Sequence, residues 1–240
     1  MRPNVTRFFM LAVTVAASFV VGASAQSKTT DRWTRSFGVE KDEWLSSGRN
    51  PYVILEPGYQ STLRNGNEQL VVTVLDDTKP IAGVTTRVVE ERETKNGTPV
   101  EVSRNYFAMS RRTNSVFYFG EEVDTYRDGK VSGHEGAWLA NGREVNFGLM
   151  MPGEVLLSAR YYQEIAPKMA MDRAEIVSTT ETVTTPAGTF TGCVKIEETT
   201  PLEPGAREYK YYARGIGLIK DGSLSLVKYG IAEKTGDGRR

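Results

Sequence analysis

Val84-Thr85-Thr86-Arg87-Val88-Val89-Glu90-Glu91-Arg92-Glu93-Thr94-Lys95-Asn96-Gly97-Thr98-Pro99-Val100-Glu101-Val102-Ser103-Arg104-Asn105-Tyr106-Phe107-Ala108-Met109 is the stretch whose reading decides the fold. Val84, Thr86 and Val88 alternate with Thr85 and Arg87, and Val100, Val102, Arg104 and Tyr106 alternate with Glu101, Ser103 and Asn105. A period of two places successive side chains on opposite faces of a strand. Asn96-Gly97 supplies two residues that accept the positive φ a type I′ turn needs. The stretch predicts an antiparallel hairpin with one apolar face and one wet face.

The same grammar extends both ways. Upstream, Tyr52, Ile54 and Pro57-Gly58 lead into a strand over Tyr59 to Leu63, Asn65-Gly66 reads as a turn, and Glu68 to Leu75 as a strand closed by Asp76-Asp77-Thr78-Lys79-Pro80. Downstream, Val116 to Phe119, Val123 to Tyr126 and Lys130 to Leu139 continue the meander through turns at Asp128-Gly129 and Asn141-Gly142. Gly148 to Leu157 is less regular, with Pro152-Gly153 as a loop. Ser158 to Ile165, Arg173 to Val183, Thr189 to Glu198, Glu208 to Ala213, Leu218 to Lys220 and Leu224 to Ile231 read as strands. This predicts an all-β single domain over 49–232, with roughly ten to twelve antiparallel strands in a strongly curved sheet or half-barrel.

The ends read differently. A basic start with Arg2 and Arg7, an apolar run from Phe8 to Gly22 and Ala23-Ser24-Ala25 have the pattern of a signal peptide, cut after Ala25. Residues 1–25 are then removed and the mature chain is periplasmic or secreted, with no transmembrane span. Residues 26–48 are polar, with Trp33, Phe37 and Trp44 spaced through them, and read as an N-terminal arm or short helix that docks by its aromatics. Residues 233–240 read as a flexible charged tail.

Composition excludes several classes. The chain has 30 basic and 30 acidic residues, and loss of Arg2 and Arg7 leaves no basic surplus, so nucleic acid is not an expected partner. The single cysteine, Cys193, forbids an internal disulfide and reads as a small buried residue in a strand. No nucleophile elbow, zinc-binding histidine pair, calcium loop or phosphate loop is present. His134 and Glu135 point to opposite faces of an extended segment, so they cannot cooperate as a proton-transfer pair. Glu90-Glu91, Glu121-Glu122 and Glu197-Glu198 read as solvated strand residues rather than a glycosidase pair. The chain is read as a non-enzyme with no cofactor and no metal.

What remains is aromatic. Phe117, Phe119, Tyr126, Trp138 and Tyr161, with Met150, fall in the middle third, where a curved sheet turns such residues toward its concave face. Either they simply fill the core, or they are the lining for an apolar or amphipathic ligand, a hydrophobic small molecule or a lipid. The alternative is an envelope structural or protein-interaction module with no small-molecule ligand, recruiting an envelope protein through the arm or a strand edge.

Two stretches carry a resemblance. Thr185-Pro186-Ala187-Gly188-Thr189-Phe190 with Cys193-Val194-Lys195, and Tyr211-Tyr212-Ala213-Arg214-Gly215-Ile216-Gly217-Leu218-Ile219-Lys220, resemble a pattern recurrent in uncharacterised bacterial exported proteins. Asn50-Pro51-Tyr52 with Pro57-Gly58 fits the same pattern, and Arg214 stands where its usual form has proline. The resemblance implies a curved antiparallel sheet similar to periplasmic lipoprotein-carrier folds, and no activity. Physically the motif reads as structural. Gly188, Gly215 and Gly217 suit bends or bulges, and Tyr211 and Tyr212 point to opposite faces, one into the core and one over a rim.

Overall fold

The computed structural model describes residues 33–39 and 43–232. The predicted signal peptide, residues 26–32 and 40–42 of the arm, and the tail from 233 lie outside the described residues. All sixteen regular elements among them are strands: β1 (Trp44–Leu45), β2 (Tyr59–Asn65), β3 (Glu68–Ile81), β4 (Val84–Lys95), β5 (Thr98–Ser110), β6 (Val116–Arg127), β7 (Lys130–Gly133), β8 (Trp138–Leu139), β9 (Asn146–Met151), β10 (Arg160–Tyr162), β11 (Glu164–Ile165), β12 (Arg173–Thr185), β13 (Gly188–Thr199), β14 (Glu208–Ala213), β15 (Gly217–Asp221) and β16 (Leu224–Ile231). The chain is the all-β curved sheet its periodicity predicts. The strand count exceeds ten to twelve because Lys130–Leu139 breaks into β7 and β8, Ser158–Ile165 breaks at Gln163, and the irregular stretch near Gly148 holds β9.

Hydrogen-bonded neighbours follow the order β10-β12-β13-β14-β15-β16-β2-β3-β4-β5-β6-β9-β11. The two ends of that path, β10 and β11, are separated in the chain by Gln163 alone. Tyr162 stands opposite Arg173 of β12, and Glu164 opposite Phe147 of β9. One bent segment therefore serves both margins of the sheet and leaves a nearly closed barrel. The other edge of β10 is covered by the arm: Thr34 N donates to the Arg160 carbonyl and Tyr162 N to the Thr34 carbonyl, each at 3.0 Å. Covering an edge in this way removes a row of unpaired backbone groups.

The seam demands close approach. A Cβ on Gly148 of β9 would lie 2.3 Å from the Gln163 carbonyl carbon and oxygen and 2.6 Å from the Tyr162 oxygen. Gln163 is pinned by its backbone N–H to the Asp172 carbonyl at 2.8 Å and by its side-chain Nε2 to Glu198 Oε1 at 2.9 Å.

The Lys95–Thr98 hairpin is as expected, with φ of 54° at Asn96 and 77° at Gly97. Two other turns differ. The first hairpin turns at Gly66-Asn67 with positive φ at Gly66 alone, since Asn65 still pairs with Glu68. Asp76-Asp77-Thr78-Lys79-Pro80 does not end β3. Thr78, Lys79 and Pro80 pair with Arg87, Thr86 and Thr85, and the turn is Ala82-Gly83, at φ 48° and 81°. The acidic pair instead lies where the β3–β4 register shifts, between Val74 and Thr78.

Arg87 explains how that bulge is tolerated. It was expected on a wet face, yet its side chain is 8% exposed. Its Nη1 donates to the carbonyls of Asp76 at 2.7 Å, Leu75 at 3.3 Å and Asp77 at 3.4 Å, and its Nε to the Ser46 carbonyl at 2.8 Å. One guanidinium thus satisfies backbone acceptors that a broken ladder leaves unpaired.

The motif segments meet in space. Gly215 N donates to the Pro51 carbonyl at 2.7 Å, and the Tyr59 hydroxyl to the Ile216 carbonyl at 2.7 Å. Asn50, 1% exposed, donates from Nδ2 to the carbonyls of Asn114 and Pro152. Gly188, Gly215 and Gly217 have φ of 141°, 75° and 103°. Tyr212 is buried, while Tyr211 lies with its ring near the ammonium groups of Lys195 and Lys220. Apolar packing falls into a large cluster, with Leu55, Phe119, Met151, Ile176 and Ile196 fully buried, and a smaller one of Leu63, Leu70, Val183, Cys193, Ala213, Ile219 and Leu226.

Gly148→Ala should cost about 2 kcal/mol or more in urea denaturation, because a methyl cannot enter the seam without moving backbone. Arg87→Met should cost roughly 2–4 kcal/mol by the same measurement, since bulge carbonyls lose their donor. An unchanged midpoint for either variant would refute the corresponding role.

Candidate binding site

Of the six residues expected to line a ligand cavity, Phe117, Phe119, Trp138 and Tyr161 belong to one packed apolar cluster and Met150 lies against it, while Tyr126 is not among them. Phe117 and Phe119 share one face of β6 and pack edge-on against Trp44, with ring centroids 5.3 and 5.1 Å away. Phe147 stacks on Phe119, and Phe37 meets Phe117 at 5.5 Å. Trp138 packs against Tyr118, which alternates to the opposite face. Tyr161 is on β10, Met150 on β9 beside Gln163 Nε2, and Tyr126 half-buried near the β6–β7 turn. Phe117, Phe119, Trp138 and Tyr161 are all buried. Trp33, Phe37 and Trp44 of the arm lie against Tyr162, Phe117 and Phe119.

Beside the seam, Glu198 accepts from Gln163 and pairs with Lys210 Nζ at 2.9 Å, while Asp221 lies 3.9 Å from the same ammonium. Glu208 stands opposite Glu198 across β13–β14, and Lys210 opposite Asp221 across β14–β15. Glu198 was expected to be solvated but is 7% exposed, and Glu121 likewise is 1% exposed. Three carboxyls around one ammonium leave a surplus of negative charge in a partly desolvated space. Burial, then Asp221, pushes the Glu208 carboxyl up to about 7. Burial pulls Lys210 down, but Asp221 and Glu198 outweigh it and hold the ammonium well above its ordinary value. Burial first, then Glu198, raises the phenols of Tyr212 and Tyr161.

A cleft of about 450 Å³ opens nearby, between Arg173 and Thr199 on the sheet and Pro201, Pro204 and Arg207 of the β13–β14 loop. Arg173 and Thr199 are directly opposed across β12–β13. The Arg173 guanidinium carbon lies 4.5 Å from the centre of the Trp33 ring. Arg173 Nε and Thr199 Oγ1 are buried and make no hydrogen bond among the described residues.

A smaller cleft of about 230 Å³ holds Arg104, Glu122, Asp124 and His134. His134 Nδ1 donates to the Val123 carbonyl at 2.8 Å with Asp124 Oδ1 at 3.0 Å, and its side chain is 68% exposed. Glu135 approaches Thr125 instead. Cys193 is free and buried, its thiol raised by burial. Among the described residues, no group of three or more histidine, cysteine or carboxylate side chains could hold a metal, and no helix is long and apolar enough to cross a membrane.

A family profile described as DUF3108-like matches residues 156–224, under a third of the chain. That segment runs from the loop before β10 to the start of β16, and so contains β10 and β11 of the seam, the Glu198–Lys210 cluster and the Arg173 cleft. No curated protein and no solved structure matches the chain.

The sequence signalled none of these polar sites, because Arg173, Glu198 and Lys210 sit in alternating stretches where charge ordinarily means solvent. Since folding raises the Glu208 pKa, the folded chain holds a proton that the unfolded chain releases near 4.5, and stability falls as pH rises toward about 7. Glu208→Gln should therefore melt higher than wild type near pH 8 and equal to it near pH 4, below the unfolded value. Equal melting temperatures at both would show that the cluster stores no proton.

Proposed function

We propose that the chain is an exported, non-catalytic binding module that holds an amphipathic ligand at the Arg173 cleft on the barrel wall. One observation carries this reading: a cleft of about 450 Å³ is lined by an arginine that makes no ion pair with any described carboxylate. Acids of β12 and β13 are engaged by other arginines, Glu175 by Arg160 at 2.8 Å and Glu197 by Arg207 at 3.3 Å. Ligand sites combine apolar walls with a few convergent polar groups, and prolines beside arginine and threonine have that character. Export is supported by the leader-like residues 1–25, and the periplasm or exterior is the compartment they imply.

A second reading, an envelope interaction module without a small-molecule ligand, is favoured by Leu156 and Leu157, adjacent and 64% and 63% exposed. The arm is a poorer recruiting element, because Trp33, Phe37 and Trp44 rest on the protein's own barrel.

Native mass spectrometry of protein recovered from the periplasmic fraction decides between them. The binding reading expects a non-covalent adduct that denaturation releases into an organic extract. An unliganded mass, with a protein partner captured through Leu156 and Leu157 and lost on their replacement by serine, would favour the second reading instead.

A further inference from the structure

The outer wall formed by β10, β12 and β13 carries a row of guanidinium groups, and all but one have an evident role. Arg160 is paired with Glu175, Arg207 with Glu197, and Arg35 donates to the Tyr162 hydroxyl at 2.7 Å with its guanidinium over that ring. Arg173 stands among them, opposite Tyr162 on one side and Thr199 on the other. It is stacked on Trp33 and has no carboxylate partner among the described residues. Stacking on an indole holds a guanidinium in place without neutralising it. Buried polar groups are normally hydrogen-bonded, so Arg173 Nε and the facing Thr199 Oγ1, both without partners, mark one locus of unmet polarity. Both line the same cleft, whose loop wall adds Pro201, Pro204 and Arg207.

Positive charge, a rigid guanidinium fork, a hydroxyl and short apolar walls together select a narrow chemistry. Guanidinium groups bind planar or tetrahedral oxyanions by paired charge-assisted hydrogen bonds. A neutral ligand would leave the cation uncompensated in a partly desolvated cleft. We propose that the Arg173 cleft seats an oxyanion, a carboxylate or phosphate, with Arg173 as its charge partner; this rests on the cleft being the ligand site. The same chemistry is presented by the headgroup of an acidic amphiphile and by a free anion.

Titration calorimetry of the purified protein with dodecyl phosphate below its micellar concentration, inorganic phosphate and dodecyl maltoside tests this. Dodecyl phosphate is expected to bind, and Arg173→Gln to weaken it about tenfold or more, as for loss of a charge-assisted pair. Arg173→Lys should restore part of the affinity, and Thr199→Val, at the facing position, should weaken it without removing charge. Thermal melts establish that each variant is folded. Inorganic phosphate binding as tightly as dodecyl phosphate would support the oxyanion site and identify the free anion as its occupant. Dodecyl phosphate and dodecyl maltoside binding equally, indifferent to Arg173→Gln, would overturn the oxyanion while leaving amphiphile binding intact. No binding of any of the three would overturn both.

Discussion

A long antiparallel sheet must dispose of two edges, and here both are handled by one short stretch of chain. Arg160 to Ile165 pairs with β12 before Gln163 and with β9 after it, so the margins meet at a single residue. Neighbouring features follow from that constraint. Gly148 is glycine because the seam backbone passes where a Cβ would be. Thr34 covers the remaining edge of β10, which ties the arm to the barrel wall. Gln163 sends its side chain to Glu198, which anchors the seam to the polar cluster.

Closing the sheet changes where chemistry can reside. An open half-barrel has a concave face that aromatic side chains could line for a ligand. In a nearly closed one, side chains from opposite walls meet, and Leu55, Ile176, Ile196 and Ile219 become fully buried. Phe117 and Phe119 are covered by arm residues instead. The enclosed polar groups then experience an altered field, and Glu208 is the clearest sign of it. The Arg173 cleft lies instead on the outer wall, against the β13–β14 loop.

The legible parts of the sequence were those in which local chemistry and local structure coincide. Asn96-Gly97 announces a turn because its residues accept positive φ, and the alternation of Val100 to Tyr106 announces a strand because side-chain direction has period two. Ala82-Gly83 was illegible as a turn because alanine seldom adopts positive φ; the tertiary pairing of β3 with β4 imposes it. Asp76-Asp77 resembled a loop because a bulge and a turn share composition, and only Arg87, buried and aimed at their carbonyls, distinguishes the two. The seam could not be read at all. A strand broken by one residue looks like a strand, and its two partners lie on opposite sides of it in sequence.

The Arg173 cleft was hidden for a related reason. Trp33 and Arg173 lie far apart in the sequence, and each has an ordinary explanation alone. Their meeting depends on Thr34 pairing with β10, which places Trp33 on the wall that carries Arg173. The arm then holds a residue that lines the cleft as well as covering an edge. A ligand engaging Arg173 must act on the same guanidinium that Trp33 holds, so occupancy of the cleft and docking of the arm share a free energy. If the ligand binds the stacked guanidinium, it tightens the arm; if it draws Arg173 off the indole, it loosens the cover on β10. On the proposed function, the edge that closure protects and the cleft on the outer wall are coupled through one side chain.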